Sequence, residues 1–240
     1  MDNSSTRPDV ASVSAERVSR SHGRGHAALE SLHEVSFTVE DGEVVAVIGP
    51  SGSGKTTLLH LLAGLDRPDS GAVRLAGVDW QTLRGNARAD FRRRTCGFVP
   101  QGFSLLPQAT ASENVELPLL LDGVNAAERA VRVEAALDRV DLAEQAPKLP
   151  DQLSGGQQQR VAIARALITA PTIVFADEPT GSLDSVNAKE VVRLLVAASR
   201  ERGAAVVLVT HDPKVADHAD RIMTLRRSRL EPASAGPGKN

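Results

Sequence analysis

The sequence predicts an α/β fold: a parallel sheet built around a phosphate-binding loop, with a small antiparallel layer beside it and a helical subdomain inserted into it. Three observations carry this. The unbroken apolar run Val44-Val45-Ala46-Val47-Ile48 leads straight into Gly49-Pro50-Ser51-Gly52-Ser53-Gly54-Lys55-Thr56-Thr57, which opens onto Leu58, Leu59, Leu61, Leu62 and Leu65 at helical spacing. Apolar strands of the same kind return late, at 172–176 and 205–209. Between about 102 and 169 the chain reads as mostly helical instead. Continuously apolar strands suit a sheet covered on both faces.

The central stretch fits the spacing G-x-x-x-x-G-K-[ST], with Gly49, Gly54, Lys55 and Thr56 in the fixed places. Glycines let the backbone curl until successive N–H groups converge on an anion, and the helix beginning near Lys55 adds the positive end of its dipole. Lys55 is placed to reach β- and γ-phosphates, and the Thr56 hydroxyl to ligate Mg²⁺. A plain flexible Gly/Ser turn would not need both this spacing and this strand–loop–helix context. The chain is expected to bind a nucleoside triphosphate.

The whole chain narrows the classes. Its 240 residues suffice for one large domain with an inserted subdomain. A formal net charge of -2 supplies no global field for gripping nucleic acid, so no nucleic-acid partner is expected. Aromatic residues make up 2% and tyrosine is missing, which disfavours stacking on single strands. The single cysteine, Cys96, forms no internal disulfide and suits a reducing compartment. No secretory signal and no run of ~18 apolar residues is present, so a membrane role is expected to come through a partner.

Taken in order, residues 1–15 read as a disordered tail, as do 227–240. The alternation Val35-Ser36-Phe37-Thr38-Val39 is a half-buried strand, turned by Glu40-Asp41-Gly42 into the strand before the loop. A second extended piece, Ala72-Val73-Arg74-Leu75-Ala76, completes the antiparallel layer. Arg92-Arg93-Arg94 is expected on a short helix with a solvated face. From Ala126 to Val140, the residues Val133, Ala136, Leu137 and Val140 form one buried stripe, and Pro107, Pro118, Pro147 and Pro150 are expected to punctuate the helices around it. The nucleotide-binding core is thus assigned to 16–101 and 170–226, and the helical subdomain to 102–169.

Ile173-Val174-Phe175-Ala176-Asp177-Glu178-Pro179 is an apolar strand that ends in two acids. Neighbouring strand residues face opposite ways, so the two acids have different jobs. Ligands in such sheets sit at the carboxyl ends of the strands. Asp177 suits the Mg²⁺ shell; Glu178 suits a base that orients or deprotonates the attacking water. Pro179 disfavours helical geometry at Glu178, and the acid is expected in the extended exit of the strand.

Leu153-Ser154-Gly155-Gly156-Gln157 precedes another helix. Ser154 and Gln157 match a capping box, but such a box does not need glycines at the first two helical positions, where they weaken the helix. Bare N–H groups at a helix start suit an anion. This is a second phosphate-reading loop in a chain with one Lys-bearing loop, which points to pairing with a second copy.

Together these residues resemble an ABC-type ATP-binding cassette: the phosphate loop, Gln101, Leu153 to Gln157, Asp177-Glu178, Ser182-Leu183-Asp184 and His211, spanning about residues 16–226. The resemblance implies a P-loop NTPase core of RecA-like type, ATP and Mg²⁺ as ligands, and ATP hydrolysis. It implies a head-to-tail dimer in which Ser154, Gly155, Gly156 and Gln157 of one copy close over the ATP held by the other, with Asp184 at the seam. Gln101 would sense Mg²⁺ and the lytic water and connect the site to an integral membrane permease. His211 would contact the γ-phosphate. The chain would then lie peripherally on the cytoplasmic face of the membrane.

Thr110 to Leu120, Gly64 to Pro68 and Pro179 to Ser185 are similar to cassettes of the lipoprotein-releasing and macrolide-exporter group. Pro100 departs from that group's usual Phe and Ser182 from its usual Asn. His22 stands where an adenine-stacking aromatic ring is expected. The rival reading is a soluble cassette ATPase acting on DNA or ribosomes. The former would need sustained heptads, and the latter a second cassette; neither occurs here.

Overall fold

The computed structural model describes residues 11–23, 29–181, 183 and 185–233. Two sheets form its frame. The larger is six-stranded in the order β10-β9-β3-β8-β7-β6, using β3 (Val44–Ile48), β6 (Cys96–Val99), β7 (Ile173–Asp177), β8 (Ala205–Thr210), β9 (Arg221–Arg226) and β10 (Arg229–Pro232). All its pairings are parallel except that of β10 with β9. The smaller is antiparallel, β2-β1-β4-β5, from β1 (Val13–His22), β2 (Leu29–Val39), β4 (Ser70–Leu75) and β5 (Val78–Asp79).

The period-two alternation of strands divides the core. Val45, Val47, Phe175, Val207 and Val209 point to one face, where Leu58, Leu59, Leu61 and Leu62 of α1 (Lys55–Leu62) and the antiparallel layer meet them. Val44, Ala46, Val174, Ala176, Val206 and Leu208 point to the other, against α5 (Gly155–Leu167) and α6 (Ser185–Arg200). This two-sided burial is why these strands are apolar throughout.

A third core lies in the helical subdomain, where α3 (Ala111–Leu121) and α4 (Ala126–Asp138) pack on α5. The predicted stripe of Val133, Ala136, Leu137 and Val140 is buried there. Helix α5 is a shared wall: Ile163 and Leu167 belong to the sheet's core, and Val161 and Ala164 to the helical one.

Four expectations are corrected. Residues 13–15, expected in a disordered tail, belong to β1, which starts at Val13 with Val13 and Ala15 buried. At the other end, Arg229–Pro232 is an ordered strand paired to β9. Pro118 sits inside α3 rather than bounding it, at the cost of one helical hydrogen bond. The three arginines lie on α2 (Asn86–Thr95), but only Arg94 is exposed. Arg93 bridges Asp122 at 2.6 Å and Asp90 at 3.0 Å, so the run ties α2 down instead of forming a solvated face. Ser182, Asp184, residues 1–10 and residues 234–240 lie outside the described residues.

Candidate nucleotide site

The loop between β3 and α1 cannot carry side chains where its glycines stand. A Cβ on Gly49 would come within 2.4 Å of the Leu225 carbonyl oxygen, and one on Gly54 within 2.5 Å of the Ser31 carbonyl oxygen. Gly54 also holds a φ of 99°, in the left-handed region that glycine adopts freely. Helix α1 then begins with no side-chain cap and no acid in its first turn. Its first N–H groups are therefore left for a ligand.

An open pocket of about 440 Å³ lies over this helix end. Ser51, Gly52, Gly54, Lys55, Thr56, Thr57, Gln101, Glu178 and His211 all line it. Gly49 and Pro50 line the adjoining hollow, which His211 also borders. Ser53 Oγ is buried in the loop with no hydrogen-bond partner. Lys55 is nearly buried, and its ammonium donates to the carbonyls of Gly49 and Pro50 at 3.0 and 3.1 Å. Its Nζ lies 4.0 Å from Glu178 Oε1.

Strand parity places Asp177 on the α1 face, beside Phe175's side of the sheet. There the Thr56 hydroxyl donates to Asp177 Oδ1 at 3.3 Å. Burial pushes the Asp177 pKa up, and the Thr56 hydrogen bond offsets part of the rise. A buried carboxylate beside a hydroxyl fits a hard cation that takes oxygen ligands.

Glu178 follows but does not continue the strand. Its φ is 43°, so the expected extended exit is wrong. Pro179 keeps Glu178 out of the right-handed helical region, and here the alternative taken is the left-handed one. The turn is held by Glu178 N–H donating to Val209 O and by Gly181 N–H donating to Glu178 O, both at 3.0 Å. It aims the carboxylate at His211, whose Nδ1 lies 2.9 Å from Oε2 and whose backbone N–H donates to the same oxygen at 3.4 Å. A carboxylate, a lysine and an imidazole thus meet at the carboxyl ends of β7 and β8.

His22 ends β1, is exposed, and places Nε2 3.2 Å from the Thr57 hydroxyl. It stands at the rim of the phosphate-loop helix, outside the pocket's lining. Ser154, Gly155, Gly156 and Gln157 do not line the pocket either. They start α5, where the capping box is fully formed: Ser154 N–H donates to Gln157 Oε1 at 2.9 Å, and Gln157 N–H to Ser154 Oγ at 3.3 Å. Sequence reasoning missed Ser31, which lines the pocket from β2; a lone serine in a strand carries no local signal.

The ABC transporter family profile matches residues 32–181. The chain belongs to the ABC transporter family, as an ATP-binding cassette. It is 42% identical over 224 residues to the ABC transporter ATP-binding protein YknY of Bacillus subtilis, spanning 93% of this chain and 97% of that one. It is 43% identical over 218 residues to the lipoprotein-releasing system ATP-binding protein LolD of Legionella pneumophila, spanning 91% and 96%. Among solved structures, the dimeric cassette MJ0796 in a post-hydrolysis state, bound to ADP and Pi, matches with a TM-score of 0.84 at 38% identity, covering 93% of this chain and 100% of that one. The cassette fold, with its parallel sheet, antiparallel layer and helical insert, is therefore the one the sequence predicts. The cassette is an ATPase.

Proposed function

We propose that this cassette hydrolyses ATP with Mg²⁺ and that the hydrolysis powers a separate membrane permease. The reading rests chiefly on one observation: Lys55, Thr56, Gln101, Glu178 and His211 converge on a single pocket at the start of α1. Lys55 and the uncapped N–H groups of α1 bind the phosphates. Thr56, Asp177 and Gln101 would hold Mg²⁺, which when bound neutralises charge on the phosphate oxygens. Glu178 is the general base that orients the attacking water and takes its proton. His211 steadies Glu178 and presents its ring to the γ-phosphate side. His22 flanks the adenine.

The second copy supplies Ser154, Gly155, Gly156 and Gln157 to the same ATP in a head-to-tail dimer. The dimer of MJ0796 supports this arrangement. No helix among the described residues is long and apolar enough to cross a membrane. A macrolide export ATP-binding/permease protein of Aeromonas hydrophila is 45% identical over 214 residues, and the match covers only 33% of that longer chain. In this reading the permease is a separate partner, as the match to nearly the whole of the ATP-binding protein LolD supports, and it docks near Gln101 and the helical subdomain, with the cassette on the cytoplasmic face. Mg²⁺-dependent phosphate release by the purified chain tests the hydrolysis, and co-purification with a membrane protein tests the partnership. ATP turnover that ignored removal of Mg²⁺, or recovery of the chain on ribosomes or DNA alone, would overturn the corresponding half.

A further inference from the structure

The loop that carries Gln101 into the helical subdomain runs over the surface, with Gln101, Gly102, Ser104, Leu106, Pro107 and Gln108 exposed. Its own backbone offers little to fix it: Ser104 N–H donates to Gly102 O at 2.7 Å and Ala109 N–H to Leu106 O at 3.2 Å. Phe103 and Ser104 hold φ values of 64° and 48°, a strained conformation for two non-glycine residues in succession. Such a segment needs an outside constraint.

The constraint comes from two side chains on helices. Asn114 of α3 is fully buried; it accepts from Leu106 N–H at 2.8 Å and donates to the carbonyls of Leu106, Ala109 and Thr110. It fixes the far half of the loop. The near half is held by Arg165 of α5, whose guanidinium donates to Phe103 O at 3.0 Å and to Ser104 O at 2.8 Å. Among the described residues Arg165 has no carboxylate partner, and burial pushes its pKa down. A partly buried guanidinium held only by carbonyls is expensive to keep, so its two hydrogen bonds are its structural purpose. The left-handed turn at 103 and 104 is what brings those two carbonyls side by side.

We propose that Arg165 is a positioning residue for Gln101, holding the turn just after it against the helix that begins at Ser154. This rests on the ATPase reading given to Gln101. One rigid helix, α5, then carries the Ser154 loop at its start and the grip on the Gln101 loop at its end. Ile163 and Leu167 seat this end of α5 on the sheet, so the guanidinium holds the Gln101 loop in place relative to the strands.

Three full-length variants test it: Arg165→Met, Arg165→Lys and, as a control for general destabilisation, Val133→Ala in the helical core. In Arg165→Met, amide exchange across 102–106 should rise at least ~10-fold and kcat fall ~10-fold, while KM and ATP affinity stay within about threefold. Arg165→Lys should fall between, because an ammonium lacks the planar fork that grips both carbonyls. Val133→Ala should lower thermal stability yet leave exchange at 102–106 and kcat unchanged. Unchanged exchange in Arg165→Met, or a kcat loss that Val133→Ala reproduces, overturns the proposal. Should Arg165→Met fail to fold, Arg165→Lys carries the same comparison. If the parent chain does not hydrolyse ATP, the functional reading falls on its own, and the exchange measurement still decides the grip.

Discussion

Helices α1 and α5 both start directly after or within glycines, yet their N-termini are chemically opposite. Helix α1 has no side-chain cap, and Gly54 and Gly49 leave no room for one. Helix α5 is capped by the reciprocal Ser154–Gln157 box, which satisfies two of its orphan donors from within. The first is therefore ready for an anion as it stands. The second is a stable helix start in the single chain, and reading a phosphate requires it to add contacts from Gly155 and Gly156 or give up part of the box. That difference fits a primary site on α1 and a conditional one on α5, engaged when a second copy brings its nucleotide.

The sharpest test separates binding from turnover at the α1 site. Glu178→Gln keeps the side-chain shape and loses the base, so phosphate release should fall roughly 10²- to 10⁴-fold while ATP still binds. Parent-level turnover in that variant would remove Glu178 from its role. The same variant accumulates ATP-bound chain and so exposes what α5 does. Scattering should show a dimer with ATP and a monomer without it, and adding Ser154→Arg should abolish the dimer by filling the α5 anion site. A dimer indifferent to both ATP and the arginine would mean that α5 reads no nucleotide.

Stability measurements extend the comparison. Asp177 has its folded pKa raised by burial, so ionising it costs stability: the penalty is absent below the unfolded carboxylate pKa and complete above the folded one. Asp177→Asn should therefore raise the melting temperature at neutral pH and lower it little in acid, while Mg²⁺-dependent hydrolysis is lost. Equal melting curves at pH 7 would show that the carboxylate carries no such cost. At α5 the sign reverses. Ser154→Ala removes a working cap and should cost about 1 kcal/mol, or ~2–4 °C in a chain of this size. No change in melting would mean the box contributes nothing.

What could be read from the chain depended on how local each feature's physics is. The α1 loop was legible because glycine, lysine and threonine act there through their own backbone and reach. The fate of Glu178 was only half legible: Pro179 excludes one backbone region, but the choice of φ 43° over an extended exit depends on Val209 and Gly181, which the tertiary fold supplies. Ser31, Asn114 and Arg165 acquire their places entirely through packing. The strand at Arg229–Pro232 was missed for a similar reason. Its residues look polar and loop-like, and only the edge of β9 makes them a strand.

The smallest expected effect lies at the rim of α1. His22 reaches the Thr57 hydroxyl at 3.2 Å and is exposed, so its ring stands next to the phosphate loop without lining the pocket itself. If it flanks the base, it does so with a smaller π-face than a phenol ring offers. The phosphates then dominate binding through Gly49 to Thr57, which predicts comparable affinity for ATP and GTP. His22→Tyr should tighten ATP by up to ~1 kcal/mol through added stacking, with less effect on the phosphate contacts that both nucleotides share. Titrations of ATP and GTP on the parent and variant read this directly. A strong parental preference for ATP that His22→Tyr leaves untouched would place the base elsewhere, against apolar groups rather than the imidazole, and would reduce His22 to a partner of Thr57.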